Sequence, residues 1–246
     1  MKIRLHAFTF LAILSPTFTC AVDRGVVLVT GATGQTGRLV VAALVRERLA
    51  VRAMVRSPES ATTLASGVAA IVADVTQPAS LAAVTKGVTV VISTIGARFP
   101  IGDNGFEAVD WKGNRAMIDA AKAAGVRHFI LLSAGSAGRD GFPYSWSISP
   151  YPWKAKAEAY LRKSGVPYTI IAAGGLTDDA GGQRGVRLAP RARYQSADIS
   201  RADLAQVLAA CVGEAAAIGK TITIVNDDLL VAGAWRKDFG RLPTDL

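Results

Sequence analysis

Only two histidines, His6 and His128, and two cysteines, Cys20 and Cys211, occur in the 246 residues. Two cysteines cannot build a disulfide scaffold, and neither stands at metal-ligand spacing from another ligand. So few histidines exclude a histidine-rich metal centre, and a Ser-His-acid nucleophile would have to recruit His128. That residue stands in "AGVRHFILLS", where it reads as a loop histidine at the entrance to a strand. Aromatic residues make up only 7% of the chain, and no lysine-rich run is interleaved with them, so a nucleic-acid groove is not expected. No Tyr-x-x-x-Lys occurs anywhere.

A membrane span is not expected either. The uncharged stretch from Ala7 to Val22 is short and is interrupted by Pro16. With its basic start and the small residues near Thr19 and Ala21, "MKIRLHAFTFLAILSPTFTCAVD" has the outline of a secretory signal peptide. The alternative is a start placed too far upstream. Residues 1–24 are therefore read as a leader and residues 25–246 as one domain. The expected location is the cytoplasm, with export the alternative if the leader is genuine.

What is present points one way. Hydrophobic residues make up 50% of the chain, mean hydropathy is +0.30, and a large core is affordable at this length. The formal charge of +9 is spread over scattered arginines, which suits an anionic small ligand. Short, continuous, β-branched runs alternate with helical patterns. "GVVLVT", "VRAMVR", "VAAIVAD", "VTVVISTIG", "VRHFILLSAGS", "PYTIIAAGGL" and "KTITIVN" read as strands. Helices are expected over Thr36 to Leu49 and in "PESATTLAS", "QPASLAAVTKG", "DWKGNRAMIDAAKAAG", "KAKAEAYLRKSG" and "ISRADLAQVLAACVG". Ser200 is placed to cap the last of these, with Asp203 to reciprocate. Continuous apolar strands separated by helices imply an α/β fold, a doubly wound parallel sheet covered on both faces. The stretch 177–196, rich in Gly and Arg, reads as a flexible loop or lid. Its arginines 184, 187, 191 and 193 either clamp an acidic substrate or solvate that loop. Trp235 and Phe239, at helical spacing, read as an anchor on the domain surface.

The first strand runs into "TGATGQTG". Gly31 permits a tight turn, Gly34 removes a side chain that would block a phosphate, and Gly37 lets the helix approach the strand. The helix N-terminus offers free N–H groups and the positive end of its dipole to a diphosphate. The expected cradle is Gly31, Thr33, Gly34, Gln35, Thr36 and Gly37. After the second strand stands Arg56, with Arg52 before it and Ser57 beside it. An NAD-selective site wants a carboxylate there, whereas a guanidinium matches the 2′-phosphate of NADP(H), so NADP(H) is the expected cofactor.

The G-x-x-G-x-x-G spacing resembles the short-chain dehydrogenase/reductase superfamily. "VRAMVRSPE", "VADVTQPASL", "VVISTIGA", "NRAMIDAAKAAGVRHFILLSAGSAG", "WKAKAEAYLRKSGVPYTIIAAGGL" and "ISRADLAQVLAACV" resemble its atypical branch of NAD(P)H-binding, NmrA-like and flavin-reductase-like proteins. The resemblance runs from Val26 to Val225. It implies a single Rossmann-like domain, with Asp74 and Val75 bordering the adenine and Thr94, Ile95 and Gly96 lining the ribose and nicotinamide side. It also implies Ser133 beside the substrate and Lys154 near the nicotinamide ribose.

The chain departs from classical members at the proton donor. Tyr151 precedes Lys154 by three and Lys156 by five, so the plus-four position is Ala155. Pro152 makes Tyr151 the residue before a helix start, and Tyr144 is the other candidate. Hydride transfer to a quinone-like or flavin-like acceptor needs no protein acid, because the acceptor can take its proton from water. The expected activity is therefore an NADPH-dependent reductase acting on such a small-molecule acceptor, with Ser133, Lys154 and Tyr151 as candidate catalytic residues. The alternative is a non-catalytic NADP(H) sensor of the NmrA-like type with a protein partner.

Overall fold

A computed structural model describes residues 25–138 and 149–245. The leader-like segment and Tyr144 lie outside the described residues. Strand β1 (Val26–Thr30) leads into helix α1 (Gln35–Arg46), followed by β2 (Ala50–Val55), the single turn α2 (Pro58–Ala61) and β3 (Ala69–Val72). Helix α3 (Leu81–Thr85), β4 (Val88–Ser93), a π-helical turn (Glu107–Gly113), α4 (Asn114–Ala123) and β5 (His128–Ala134) come next. The chain then forms α5 (Tyr151–Lys163), β6 (Tyr168–Ala173), β7 (Gly175–Thr177), β8 (Gly185–Pro190), β9 (Asp198–Ser200), α6 (Arg201–Ala210) and β10 (Lys220–Asp227).

Eight strands form one sheet in the order β3-β2-β1-β4-β5-β6-β10-β8. All pairs are parallel except β10 with β8. The chain works outward from β1 to β3 and then returns to place β4 on the other side of β1. That reversal opens a crevice at the carboxyl ends of β1 and β4. Strand periodicity divides the core into two layers. Val27 and Val29 point to the layer with Val40, Leu44, Leu204 and Leu208 of α1 and α6, while Leu28 points to Leu81, Met117, Ile118 and Leu161 on the opposite face.

Several local readings change. Helix α1 stops at Arg46, short of Leu49, because Arg48 takes a left-handed φ of 58°. Arg48 N–H then donates to Val45 O and Leu49 N–H to Leu44 O, closing the helix end with an arginine where glycine is usual. Helix α2 is one turn, capped by Ser57 Oγ accepting from Ser60 N–H. The helix expected from Asp110 begins three residues earlier, as the π-helical turn.

The stretch 177–196 is not a plain loop. It supplies β8, which pairs antiparallel with β10 from Gly185↔Asp227 to Pro190↔Ile222. Polar clusters of Gly and Arg concealed a strand whose apolar content is only Val186, Leu188 and Ala189. Half of the expected cap on α6 forms: Asp203 N–H donates to Ser200 Oγ at 3.0 Å, but Asp203 does not reciprocate, because Ser200 N–H donates to Asn226 Oδ1 at 2.8 Å and Asp203 Oδ2 accepts from Ser200 Oγ instead. Trp235 and Phe239 are buried and meet edge to face at 6.1 Å, seating the 3-10 segment Ala234–Arg241 on the domain. No helix among the described residues is long and apolar enough to cross a membrane.

Candidate functional site

The glycine turn behaves as its spacing predicts. Gly31 has φ 72°, and a Cβ there would also press on Thr94 at 2.9–3.0 Å. A Cβ on Gly37 would overlap the carbonyl oxygen of Gly31, so this position fixes how closely α1 approaches β1. Gly34 is the extended N-cap of α1; no side chain caps the helix and no acidic residue lies in its first turn. Gly34 and Gln35 are exposed, Thr33 is half-buried, and Thr36 is buried. The first-turn N–H groups have no helical acceptors, so they face the crevice as donors beside the positive dipole end. Those features fit a dinucleotide diphosphate.

The neighbouring strand ends complete the crevice. Thr94 is fastened to β1, its Oγ1 donating to Thr30 O at 2.7 Å and its N–H to the same oxygen at 3.1 Å. Ile95 is buried and Gly96 exposed. Asp74 accepts from Thr76 N–H and Thr76 Oγ1 at 2.8 Å each, which shapes the turn after β3. Val75 is buried beside Gly113, where a Cβ would come within 2.7 Å of its methyl. Arg56 is exposed just past β2. Arg52 does not join it: its Nη1 donates to Val84 O and Lys86 O, at 2.9 and 2.7 Å. Ser57 is likewise occupied as a cap, leaving Arg56 as the basic group at that corner.

Lys154 lies on the first turns of α5, and its Nζ is 2.8 Å from Asp110 Oδ1. A Cβ on Gly96 would stand 3.6 Å from that oxygen and 3.8 Å from Lys154 Nζ, so the pair sits against the β4 exit. Asp110 is only 1% exposed; its Oδ2 accepts from Ala97 N–H at 2.9 Å. Its carbonyl accepts from Asn114 Nδ2, Asn114 Oδ1 accepts from Ser93 Oγ, and Ser93 Oγ accepts from Thr30 Oγ1. A buried polar chain thus runs from β1 to the lysine.

Asp110, Asn114 and Ser93 are absent from the sequence-based site. One signal for the first two was available: they fall on the stripe that continues through Met117, Ile118 and Ala121, the buried face of the helix. Polar residues on such a stripe require partners.

Ser133 is the penultimate residue of β5 and is 5% exposed, yet its Oγ has no hydrogen-bond partner among the described residues. Tyr151 is the first residue of α5 rather than the residue before it, and is half-buried. His128 is a core residue, not a loop histidine. Thr169 Oγ1 donates to Ala217 O at 2.7 Å, so its remaining role toward His128 Nε2, 2.8 Å away, is that of acceptor. The imidazole is a neutral structural donor, and burial pushes its pKa down to about 4.

Three of the four loop arginines are paired with carboxylates of the chain itself. Arg184 pairs with Asp228 at 2.5 Å, Arg187 pairs with Asp227, and Arg191 pairs with buried Glu158 at 2.5 Å.

A doubly wound sheet with an uncapped, glycine-built helix N-terminus at its switch point defines a Rossmann-like nucleotide-binding domain. The chain belongs to the NAD(P)H-binding family, which matches residues 31–215, and falls in the atypical short-chain dehydrogenase/reductase group of oxidoreductases. An uncharacterised chloroplast protein of Arabidopsis thaliana is 34% identical over 205 residues, 74% of this chain and 63% of that relative. The chain therefore spans less than two thirds of that protein. Sanguinarine reductase of Eschscholzia californica is 33% identical over 227 residues, 76% of this chain and 82% of the reductase.

Among solved structures, a Bacillus halodurans protein named as an NAD-dependent epimerase/dehydratase aligns with TM-score 0.76 and 25% identity, covering 88% of this chain and 97% of its own. An NADPH-dependent quinone oxidoreductase of Escherichia coli, in complex with NADPH, aligns with TM-score 0.60 and 26% identity, covering 79% and 67%.

Proposed function

We propose that the chain is an NADPH-dependent reductase that delivers hydride to a quinone-like or flavin-like acceptor. The observation that carries this reading is Ser133. A buried hydroxyl without a partner, as Ser133 Oγ is among the described residues, costs about 1–3 kcal/mol and is retained where a ligand completes it. It stands two strands from the glycine turn, roughly 10 Å at ordinary strand spacing.

Bound NADPH would supply the hydride. The first-turn N–H groups of α1 bind the diphosphate, and Arg56 grips the 2′-phosphate with a charge-assisted fork. Asp110 fixes Lys154 beside Gly96, where its ammonium meets the nicotinamide ribose. Ser133 Oγ donates to the acceptor carbonyl. The acceptor takes one hydride and one proton, and the proton comes from water, so Tyr151 is not required as an acid. The reductase and quinone oxidoreductase among the similar proteins support this chemistry. The cytoplasm, where NADPH is plentiful, is the proposed location.

The test pairs binding with turnover. NADPH and NADH are titrated into the purified protein, then oxidation is followed with a short-chain quinone and with free FMN. NADPH should bind more tightly and be consumed, with Tyr151→Phe retaining turnover and Lys154→Ala losing it. Tight binding without turnover on either acceptor would favour a nucleotide sensor instead.

A further inference from the structure

Arg191 differs from Arg184 and Arg187 in donating to backbone carbonyls as well as to a carboxylate. It follows β8 and reaches back over the sheet, where its Nη1 donates to the carbonyls of Ala134 at 2.8 Å, Gly135 at 3.1 Å and Ala137 at 2.7 Å. These carbonyls lie at and just past the end of β5, immediately after Ser133. On its other side Nη2 donates to Glu158 Oε1 at 2.5 Å. Glu158 is 3% exposed and sits on α5 four residues after Lys154, one helical turn along the same face. Three residues further on, Tyr194 packs on the same loop so closely that a Cβ on Gly135 would overlap its ring.

We propose that Arg191 is a positioning residue, its guanidinium joining the loop behind Ser133 to the helix that carries Lys154. The assignment rests on the reductase reading of these two residues. The two N–H groups of Nη1 are shared among three carbonyls while Nη2 holds the carboxylate, so two nitrogens set apart on one rigid plane serve both sides, and the single nitrogen of lysine cannot stand in both places. Without it the loop loses three of its carbonyl bonds and its direct tie to α5 through Glu158, while the bond from Gly135 N–H to Ala173 O at 2.7 Å and the turn bond from Ala137 N–H to Ala134 O remain. Glu158 keeps a countercharge in any case, because Arg162 Nη2 lies 2.9 Å from its Oε2. Loss of Arg191 therefore loosens the site without stranding a buried charge, and its variants should fold.

The experiment uses Arg191→Lys and Arg191→Ala in the full chain, assayed well below each variant's melting temperature. NADPH affinity, set at the glycine turn, should stay within about twofold, while kcat with the short-chain quinone falls by about 10- to 100-fold, as expected when reacting groups shift by an ångström. Added guanidinium ion should restore part of the loss in Arg191→Ala, and Arg191→Lys should not recover it.

Unchanged kcat in both variants, or a loss that only tracks the unfolded fraction, overturns the assignment. If the wild-type protein neither binds NADPH nor turns over, the reductase reading fails first. Amide exchange then decides the Arg191 contact alone. Faster exchange confined to residues 133–138 in Arg191→Ala upholds it, and an unchanged pattern refutes it.

Discussion

Lys154 Nζ and Asp110 Oδ1 meet at 2.8 Å between α5 and the π-helical turn, with Lys154 18% exposed and Asp110 1%. The asymmetry in burial sets an asymmetry in cost. Lys154→Met leaves a carboxylate almost wholly out of water and should destabilise the protein by about 3–5 kcal/mol. Asp110→Asn leaves an ammonium that can still turn toward solvent, so about 2 kcal/mol is expected. Urea unfolding of the two variants checks the order; the reverse order would mean the pair is not buried as described.

Ser133→Ala separates stability from function. Its hydroxyl makes no hydrogen bond among the described residues, so removing it should leave stability unchanged or raise it by up to about 1 kcal/mol. Turnover with the quinone should fall at least about tenfold if the hydroxyl meets the acceptor. A variant with full activity would show that the hydroxyl faces nothing that reacts.

Arg56→Glu should reverse the cofactor preference. A charge-assisted contact to the 2′-phosphate contributes about 1.5–3 kcal/mol, or roughly 10- to 100-fold in affinity, and a carboxylate there repels the phosphate. Paired titrations with NADPH and NADH measure the ratio. An unaltered preference would place the selectivity at another residue.

Acid should weaken the fold through His128. Its pKa is about 4 when buried and near 6.5 when unfolded, so the unfolded chain binds the extra proton first. The stability present above pH 6.5 is lost as pH falls toward 4, by about 3 kcal/mol in total. His128→Gln should flatten the dependence over that window in urea unfolding, even if it is less stable at pH 8. A slope equal to that of the wild type would assign the acid sensitivity to other groups.

The alternation of β-branched strands with helical stripes was enough to read the doubly wound sheet, because each period is written within about ten residues. The same holds for the glycine turn, since φ of 72° at Gly31 and the crowding at Gly37 are demands of the local backbone. Where the local signal is weak, the fold is not legible from the sequence. Strand β8 lies at the sheet edge among arginines, and its partner β10 begins thirty positions after Pro190.

Nothing local, either, distinguishes Arg56, whose guanidinium has no bond among the described residues, from Arg52, whose guanidinium is taken by backbone carbonyls 32 and 34 positions away. The links from Lys154 to Asp110 and from Arg191 to Glu158 depend on which elements the strand order brings side by side. Patterning along the chain determined the kind of layers and the place of the glycine turn. Which charges face one another across the crevice was decided only by packing, because electrostatic pairing acts over a few ångströms in space and is indifferent to separation along the chain.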